Sequence, residues 1–207
     1  LLVLDNFEHL LAAADLIAEL LRTAPGVKFS VTSQERLNLQ GEWLFEVEGL
    51  PYPVGDDAGP EPLAYGAVQL FLERARRVDT GFSLMPENLP AVLHICRLVG
   101  GVPLGLELAA AWVRTISPPE IAREIERNLN SLTTTQRDMP ARHRSLQAVF
   151  DYAWQRLSER ERALYRRLSI FWGFQREVAE FVAGAALADL SALVDKSLLR
   201  RSGEGRY

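Results

Sequence analysis

The sequence predicts a mainly α-helical chain that opens with a partial α/β unit, continues as a helical bundle and ends in a winged helix. Three observations carry this prediction. An apolar run, LLVL, is closed by Asp5 and followed by a helical stretch and a second short strand. From Pro62 onward no strand signal recurs for more than a hundred residues. After a last set of helices, SLLRR and the residues beyond Ser202-Gly203-Glu204-Gly205 read as two strands of a hairpin.

Each element follows from its local pattern. An apolar run ending in an acid is what a buried parallel strand looks like when it delivers a carboxylate to the C-terminal edge of an α/β sheet, where ligands bind. EHLLAAADLIAELLRTAPG then sets Leu10, Leu11, Ala14, Ile17, Ala18 and Leu21 on one stripe and stops at Pro25 and Gly26, which predicts an amphipathic helix. KFSVTS reads as a second strand and WLFEVEGL as a third, so that strand, helix and strand make a parallel βαβ unit. LPYPVGDDAGPEP, with four prolines, is a linker that ends the α/β part near residue 58.

Four helical stretches follow, AYGAVQLFLERARRV, PENLPAVLHICRLVG, VPLGLELAAAWVRTI and PPEIAREIERNL, and a small bundle is their simplest packing. Ser117-Pro118-Pro119-Glu120 carries an N-cap, a first-turn proline and the capping-box acid. NSLTTTQRDMPARH is a second linker. Beyond it helices are expected at about 145–156 and 158–171, the latter opened by a capping box at Ser158 and Glu161, with two shorter helices after it. The expected domains are residues 1–58, 59–134 and 135–207, the last truncated at its wing.

Composition narrows the function classes. The chain has 207 residues, 48% of them hydrophobic and 24% charged, enough for a core and too apolar for a disordered chain. Its single cysteine, Cys96, excludes a disulfide framework and a cysteine metal site, which fits a reducing compartment, with the cytoplasm as the default. No segment approaches 18 uninterrupted apolar residues, so no membrane partner is expected. Without a charged region before its apolar start, the chain reads as a piece of a longer protein rather than one with a signal peptide. The charge is uneven: residues 1–134 carry 10 Lys/Arg against 18 Asp/Glu, and residues 135–207 carry 13 against 9. The basic last third invites a nucleic-acid reading, but in SERERALYRRLS the arginines alternate with glutamates at helical spacing and describe a solvated face.

Three motifs in order, LLVLDNFEH, VTSQERLNLQGEW and GGVPLGLELAAAW, resemble the NB-ARC type of STAND ATPase, and more closely its bacterial regulator branch. The resemblance continues through SLQAVFDYAWQRLSERERALYRRLSIFWGF and LVDKSLL. It implies that residues 1–58 are the C-terminal part of a P-loop NTPase sheet. LLVLD then looks like the Walker B strand, with Asp5 the Mg²⁺ carboxylate, acting through water; the alternative is that Asp5 caps the following helix. Asn6 stands where related ATPases place a second acid, and an amide cannot take a proton from water. Glu8 is the nearest alternative base, or an ordinary first-turn acid favoured by the helix dipole.

The family's γ-phosphate arginine follows directly after Thr-Ser. This chain has Gln34 there and Arg36 two residues on, and either is a candidate to meet the phosphate. GGVPL resembles the motif whose Pro103 lies against adenine, with Gly101 and Leu104 beside it; Gly100, Gly101 and Pro103 also read as a stop and restart between helices. Glu107 reads as a partnered structural acid. The phosphate loop G-x-x-x-x-G-K-[ST] occurs nowhere in the sequence, and in this family it lies upstream of the Walker B strand. The late histidine of the family is expected just past Tyr207.

The resemblance thus implies a piece of an ATP/ADP-controlled signalling switch using Mg²⁺, closed with ADP and oligomerising with itself after exchange for ATP, alongside effector and sensor domains. Turnover is expected to be slow, and this stretch is not expected to hydrolyse ATP alone. Two other classes compete. One is a DNA-binding winged helix, yet the candidate recognition helix REVAEFVAGAA has one arginine against two glutamates, so direct DNA binding by this segment is not expected. The other is a nucleotide-independent interaction scaffold, to which Asn6 and Gln34 point.

Overall fold

The computed structural model describes residues 1–53, 61–128, 132–133, 145–202 and 205–207. The expected junctions at 58/59 and 134/135, most of both linkers and the tip of the C-terminal hairpin lie outside these residues. The chain is mainly helical with one small parallel sheet, and it divides into two compact units. One is discontinuous, residues 1–45 with 156–207; the other is residues 46–155.

In the discontinuous unit, β1 (Leu2–Leu4) pairs in parallel with β2 (Phe29–Val31), with Leu2 opposite Phe29 and Leu4 opposite Val31. The crossover is the amphipathic stretch the sequence predicts, but it starts late. Asn6 lies in the left-handed region at φ 56°, and short 3₁₀ turns at Phe7–His9 and Leu11–Ala13 precede α1 (Ala14–Thr23). Phe7, Ala14 and Ile17 form the buried cluster, against Leu4, Leu11, Phe29, Val31, Leu37 and Leu39. The stripe is buried only where it faces this cluster, since Leu10 and Leu21 are exposed. β1 is not the buried strand expected: Leu2 and Val3 are exposed, because α1 covers one face of a sheet of two strands.

The predicted third strand does not form. Residues 43–50 have no strand assignment, and Trp43 and Phe45 are 96% and 90% exposed. Alternation of apolar and polar residues creates a strand only where a neighbouring strand accepts the ladder hydrogen bonds.

The other segment of this unit carries α7 (Glu159–Leu168), α8 (Arg176–Ala183) and α9 (Leu187–Asp195). The Ser158 capping box is present: its backbone N–H donates to Glu161 at 2.7 Å and its Oγ accepts from the Glu161 N–H at 3.3 Å. Leu164, Leu168, Phe174, Ala179, Leu190 and Leu193 are buried. The expected wing is not assigned as strand at residues 198–202. Ser202 N–H nonetheless donates to Arg206 O at 2.7 Å, and Tyr207 exchanges backbone hydrogen bonds of 2.8 and 2.9 Å with Phe174 while their rings stack at 5.9 Å.

The second unit is helical, and besides the four helices expected of the bundle it takes in the helix expected near 145–156. It comprises α2 (Gly66–Val78), α3 (Leu89–Leu98), α4 (Pro103–Ala111), α5 (Pro118–Arg127) and α6 (Leu146–Gln155). Phe71, Ile95, Leu106 and Ile121 are fully buried at its centre. Ser117 N–H donates to Glu120 at 2.9 Å, completing the cap of α5. Glu107 is the partnered acid expected: Arg74 reaches it with Nε at 3.1 Å and Nη2 at 3.0 Å. Cys96 is buried, and burial pushes its thiol up to about 12, which keeps it protonated and unreactive.

Gly100 and Gly101 end α3, both with positive φ, and Gly101 N–H donates to Cys96 O at 3.1 Å. Gly101 also lies against Leu50, whose N–H donates to Gly101 O at 2.9 Å. A Cβ at Gly101 would sit 2.1 Å from Leu50 O, whereas one at Gly100 meets nothing within 4 Å. Chemical denaturation should therefore show Gly100→Ala costing about 1 to 2 kcal/mol, the left-handed penalty alone, and Gly101→Ala costing at least about 3 kcal/mol.

In the discontinuous unit Arg160 grips Asp189 with Nε and Nη2, each at 2.7 Å, and Ala186 N–H adds a third donor at 2.9 Å. The Arg160 fork first, then the Ala186 N–H, hold the Asp189 carboxyl down at about 2. The folded value lies below the unfolded one, so this contribution is present above about pH 4 and lost as pH falls toward 2. Asp189→Asn should lower stability at neutral pH and flatten its fall between about pH 4 and 2. Denaturation midpoints across that range measure both effects.

Candidate functional site

The carboxyl ends of β1 and β2 meet at one edge, and Thr32 joins them. Its backbone N–H donates to Leu4 O at 2.9 Å, its carbonyl accepts from Phe7 N–H at 2.9 Å, and its hydroxyl donates to Asp5 Oδ1 while accepting from Asn6 N–H at 3.0 Å. Asp5 is therefore an exposed carboxylate with one oxygen oriented by a neighbouring side chain. That donor set suits a hard cation that keeps much of its water shell, as Mg²⁺ does. No group of three or more His, Cys, Asp or Glu suited to a metal occurs among the described residues.

Glu8 lies behind this edge and is 3% exposed. Its Oε2 accepts from Gln34 N–H at 3.4 Å, and His9 Nε2 stands 3.8 Å from Oε1. Glu8 Oε1 has no hydrogen-bond partner among the described residues. A buried carboxylate oxygen without a donor is costly unless something else supplies one, and it is well formed to accept a proton or a water.

After β2 the chain turns sharply. Ser33 Oγ accepts from Glu35 N–H at 3.2 Å, and the Glu42 carboxylate accepts from the N–H groups of Leu37 and Leu39 at 3.1 and 3.3 Å. Every residue of the 34–36 turn is held by the far segment of the same unit. Ser197 Oγ donates to Gln34 O at 2.9 Å. Arg156 Nε donates to Glu35 at 2.5 Å, and its Nη2 donates to Glu8 O at 2.6 Å. Arg36 N–H donates to Asp195 O at 3.1 Å, with its guanidinium Nε 3.5 Å from Asp195 Oδ1. Lys196 completes the frame, reaching Glu161 at 2.8 Å and Arg156 O at 3.3 Å.

Asp5, Asn6, Glu8, Gln34 and Arg36 thus lie together in the discontinuous unit. Gly101, Pro103 and Leu104 lie in the bundle unit: Gly101 is buried, Pro103 is exposed in the first turn of α4, and Leu104 packs on the bundle core. Sequence reading missed Arg156, Asp195 and Ser197. They stand more than 120 residues from their partners, and Arg156 looks like every other arginine beside a helix start. Thr32 lies within the VTSQERLNLQGEW motif, which assigns it no role. A hydroxyl two residues from a strand's centre, facing another strand's terminal acid, was the available signal.

Comparison with known proteins extends over nearly the whole chain. No family model matches it, and no solved structure matches it. It is 38% identical over 208 residues to "Putative HTH-type transcriptional regulator Rv0890c" of Mycobacterium tuberculosis (strain ATCC 25618 / H37Rv), covering 96% of this chain and 22% of that protein. It is 34% identical over 209 residues to "Uncharacterized protein Rv0894" of the same organism, covering 96% of this chain and 50% of that protein. A more distant likeness, 24% over 204 residues, is to "Disease resistance protein TAO1" of Arabidopsis thaliana, of which the chain covers 15%. The chain is similar to a stretch of much longer proteins, and one of them carries a transcriptional-regulator name.

Proposed function

We propose that this chain is part of an ATP/ADP-controlled switch of the NB-ARC (STAND) type within a regulator of transcription. The observation that carries the reading is the edge at Asp5: a carboxylate at the end of one parallel strand, oriented by the Thr32 hydroxyl at the end of the next. Ligands of open α/β sheets bind at such an edge. The name of the 38% identical mycobacterial protein supports the regulatory setting.

In this reading Asp5 holds Mg²⁺ through water, and the ion neutralises charge on the phosphates. Asn6 offers hydrogen bonds at the same edge but no proton-accepting carboxylate. Glu8 supplies that acceptor, since its Oε1 is buried without a donor. Arg36 rather than Gln34 meets the terminal phosphate, because charge stabilises phosphoryl transfer and an amide brings none. Within the bundle unit, Gly101, Pro103 and Leu104 form an apolar, donor-poor turn of the kind that suits a flat base. The C-terminal helices α7–α9 act as part of the winged helix, released on exchange of ADP for ATP, and release permits self-oligomerisation beside effector and sensor domains in the cytoplasm. DNA contact is assigned to other parts of the full protein, as α8 presents Glu177 and Glu180 beside Arg176.

In a protein joining this chain to a G-x-x-x-x-G-K-[ST] loop, calorimetry should show Asp5→Ala weakening Mg²⁺-dependent ATP binding by about tenfold or more. Metal-free ADP binding should stay nearly unchanged. Equal losses in both would make Asp5 a folding residue and remove the reading. Thr32→Val should reproduce part of the Mg²⁺-dependent loss, about twofold to tenfold, because the carboxylate keeps its charge and loses its orientation.

A further inference from the structure

We propose that the groove between the chain leading into α2 and the chain leading into α3 binds a small organic cation with an aliphatic body, of the alkylammonium class. The groove lies wholly within the bundle unit, shares no residue with the Asp5 edge and does not rest on the nucleotide reading.

The groove has a volume of about 650 Å³ and is lined by Glu61, Pro62 and Leu63 on one side and by Leu84, Met85 and Leu89 on the other. Small-molecule sites have this size, and they are mostly apolar with a few polar groups. Leu84 and Leu89 pack on the bundle core, whereas Leu63 and Met85 are 48% and 52% exposed. These two side chains stay open to solvent because the backbone on both sides is tied. Gln69 Nε2 donates to Leu63 O at 2.5 Å, and Ala64 N–H donates to Glu61 O at 3.0 Å. Asn88 holds the opposite wall twice, its Oδ1 accepting from Met85 N–H and its Nδ2 donating to Ser83 O, each at 2.9 Å. Pro62 and Pro86, one in each wall, fix their own φ. The groove is therefore formed before any ligand arrives, which lowers the cost of filling it.

The charge of the rim selects the ligand. Glu61 is the one charged residue lining the groove among the described residues, and Glu87 stands between the lining residues Pro86 and Leu89. Both are exposed, and neither forms an ion pair among the described residues. Glu107, by contrast, is already held by Arg74. Arg76 donates to Phe82 O at 3.4 Å and does not line the groove. An alkylammonium ion places its charge by these carboxylates while its methylenes cover Leu63, Leu84 and the adaptable thioether of Met85. A carboxylate on the same alkyl chain meets repulsion at the rim instead.

Amide NMR titrations of the 207-residue chain with n-octylammonium and with octanoate test the site. Octylammonium should shift the Leu63 and Leu89 amides saturably, with millimolar or tighter affinity and about fivefold tighter than octanoate. The Ile121 amide, bonded to Ser117 O at the start of α5, should not move and so reports that the bundle stays folded. Replacing both rim acids, Glu61→Gln with Glu87→Gln, should reduce the preference to about twofold or less. Met85→Ala should weaken both probes about twofold to fivefold and keep the preference. Absence of saturable shifts up to about 10 mM overturns the site. Equal affinity for the two probes, or shifts that extend to Ile121, overturns it as well. A preference that survives loss of both rim acids reflects the net charge of −4 rather than the groove, and overturns the assignment of the ligand.

Discussion

Arg156 makes one compact unit out of two segments that are distant in sequence. Its guanidinium donates to the Glu35 carboxylate and to the Glu8 carbonyl, while its own carbonyl accepts from Lys196. A guanidinium is suited to this because its planar fork of donors satisfies acceptors on separate chain segments at once. Without it, the Glu35 carboxylate, 15% exposed, would lack its cation. The strand pairing of β1 and β2 covers only three residues each, too few to fix the turn that follows. The position of Glu8, Gln34 and Arg36 therefore depends on polar contacts from the C-terminal segment.

That dependence explains the pattern of what could be read in the sequence. Capping boxes at Ser117 and Ser158, the glycine pair ending α3 and the proline opening α4 are local devices, each spanning only a few residues, and all are present. The bundle core follows from helical spacing for the same reason. WLFEVEGL failed as a strand because a strand requires a partner and alternation alone does not supply one. The delayed start of α1 was hidden because Asn6 is among the few residues that tolerate a left-handed backbone without announcing it.

The candidate site divides along the same line. Asp5 was legible, since an acid closing an apolar strand is a local pattern with a chemical meaning. The hydroxyl of Thr32 that orients it, and the Asp195 that meets Arg36, were not legible, as their roles exist only across the fold. Glu8 was singled out as an acid near the edge. Its burial and its unpartnered oxygen are properties of packing that no sequence pattern encodes.

The discontinuity of the first unit has a consequence for the order in which the chain is made. Residues 1–45 leave the ribosome with β1, α1 and β2 complete, but the groups that grip the 34–36 turn are Arg156, Asp195 and Ser197. At about 5 to 20 residues per second, on the order of ten seconds separates synthesis of the turn from synthesis of its clamp. Residues 46–155 are synthesised within that interval and hold a buried core of their own. During biosynthesis the Asp5 edge thus exists first in an unclamped form, before Arg156, Asp195 and Ser197 are made.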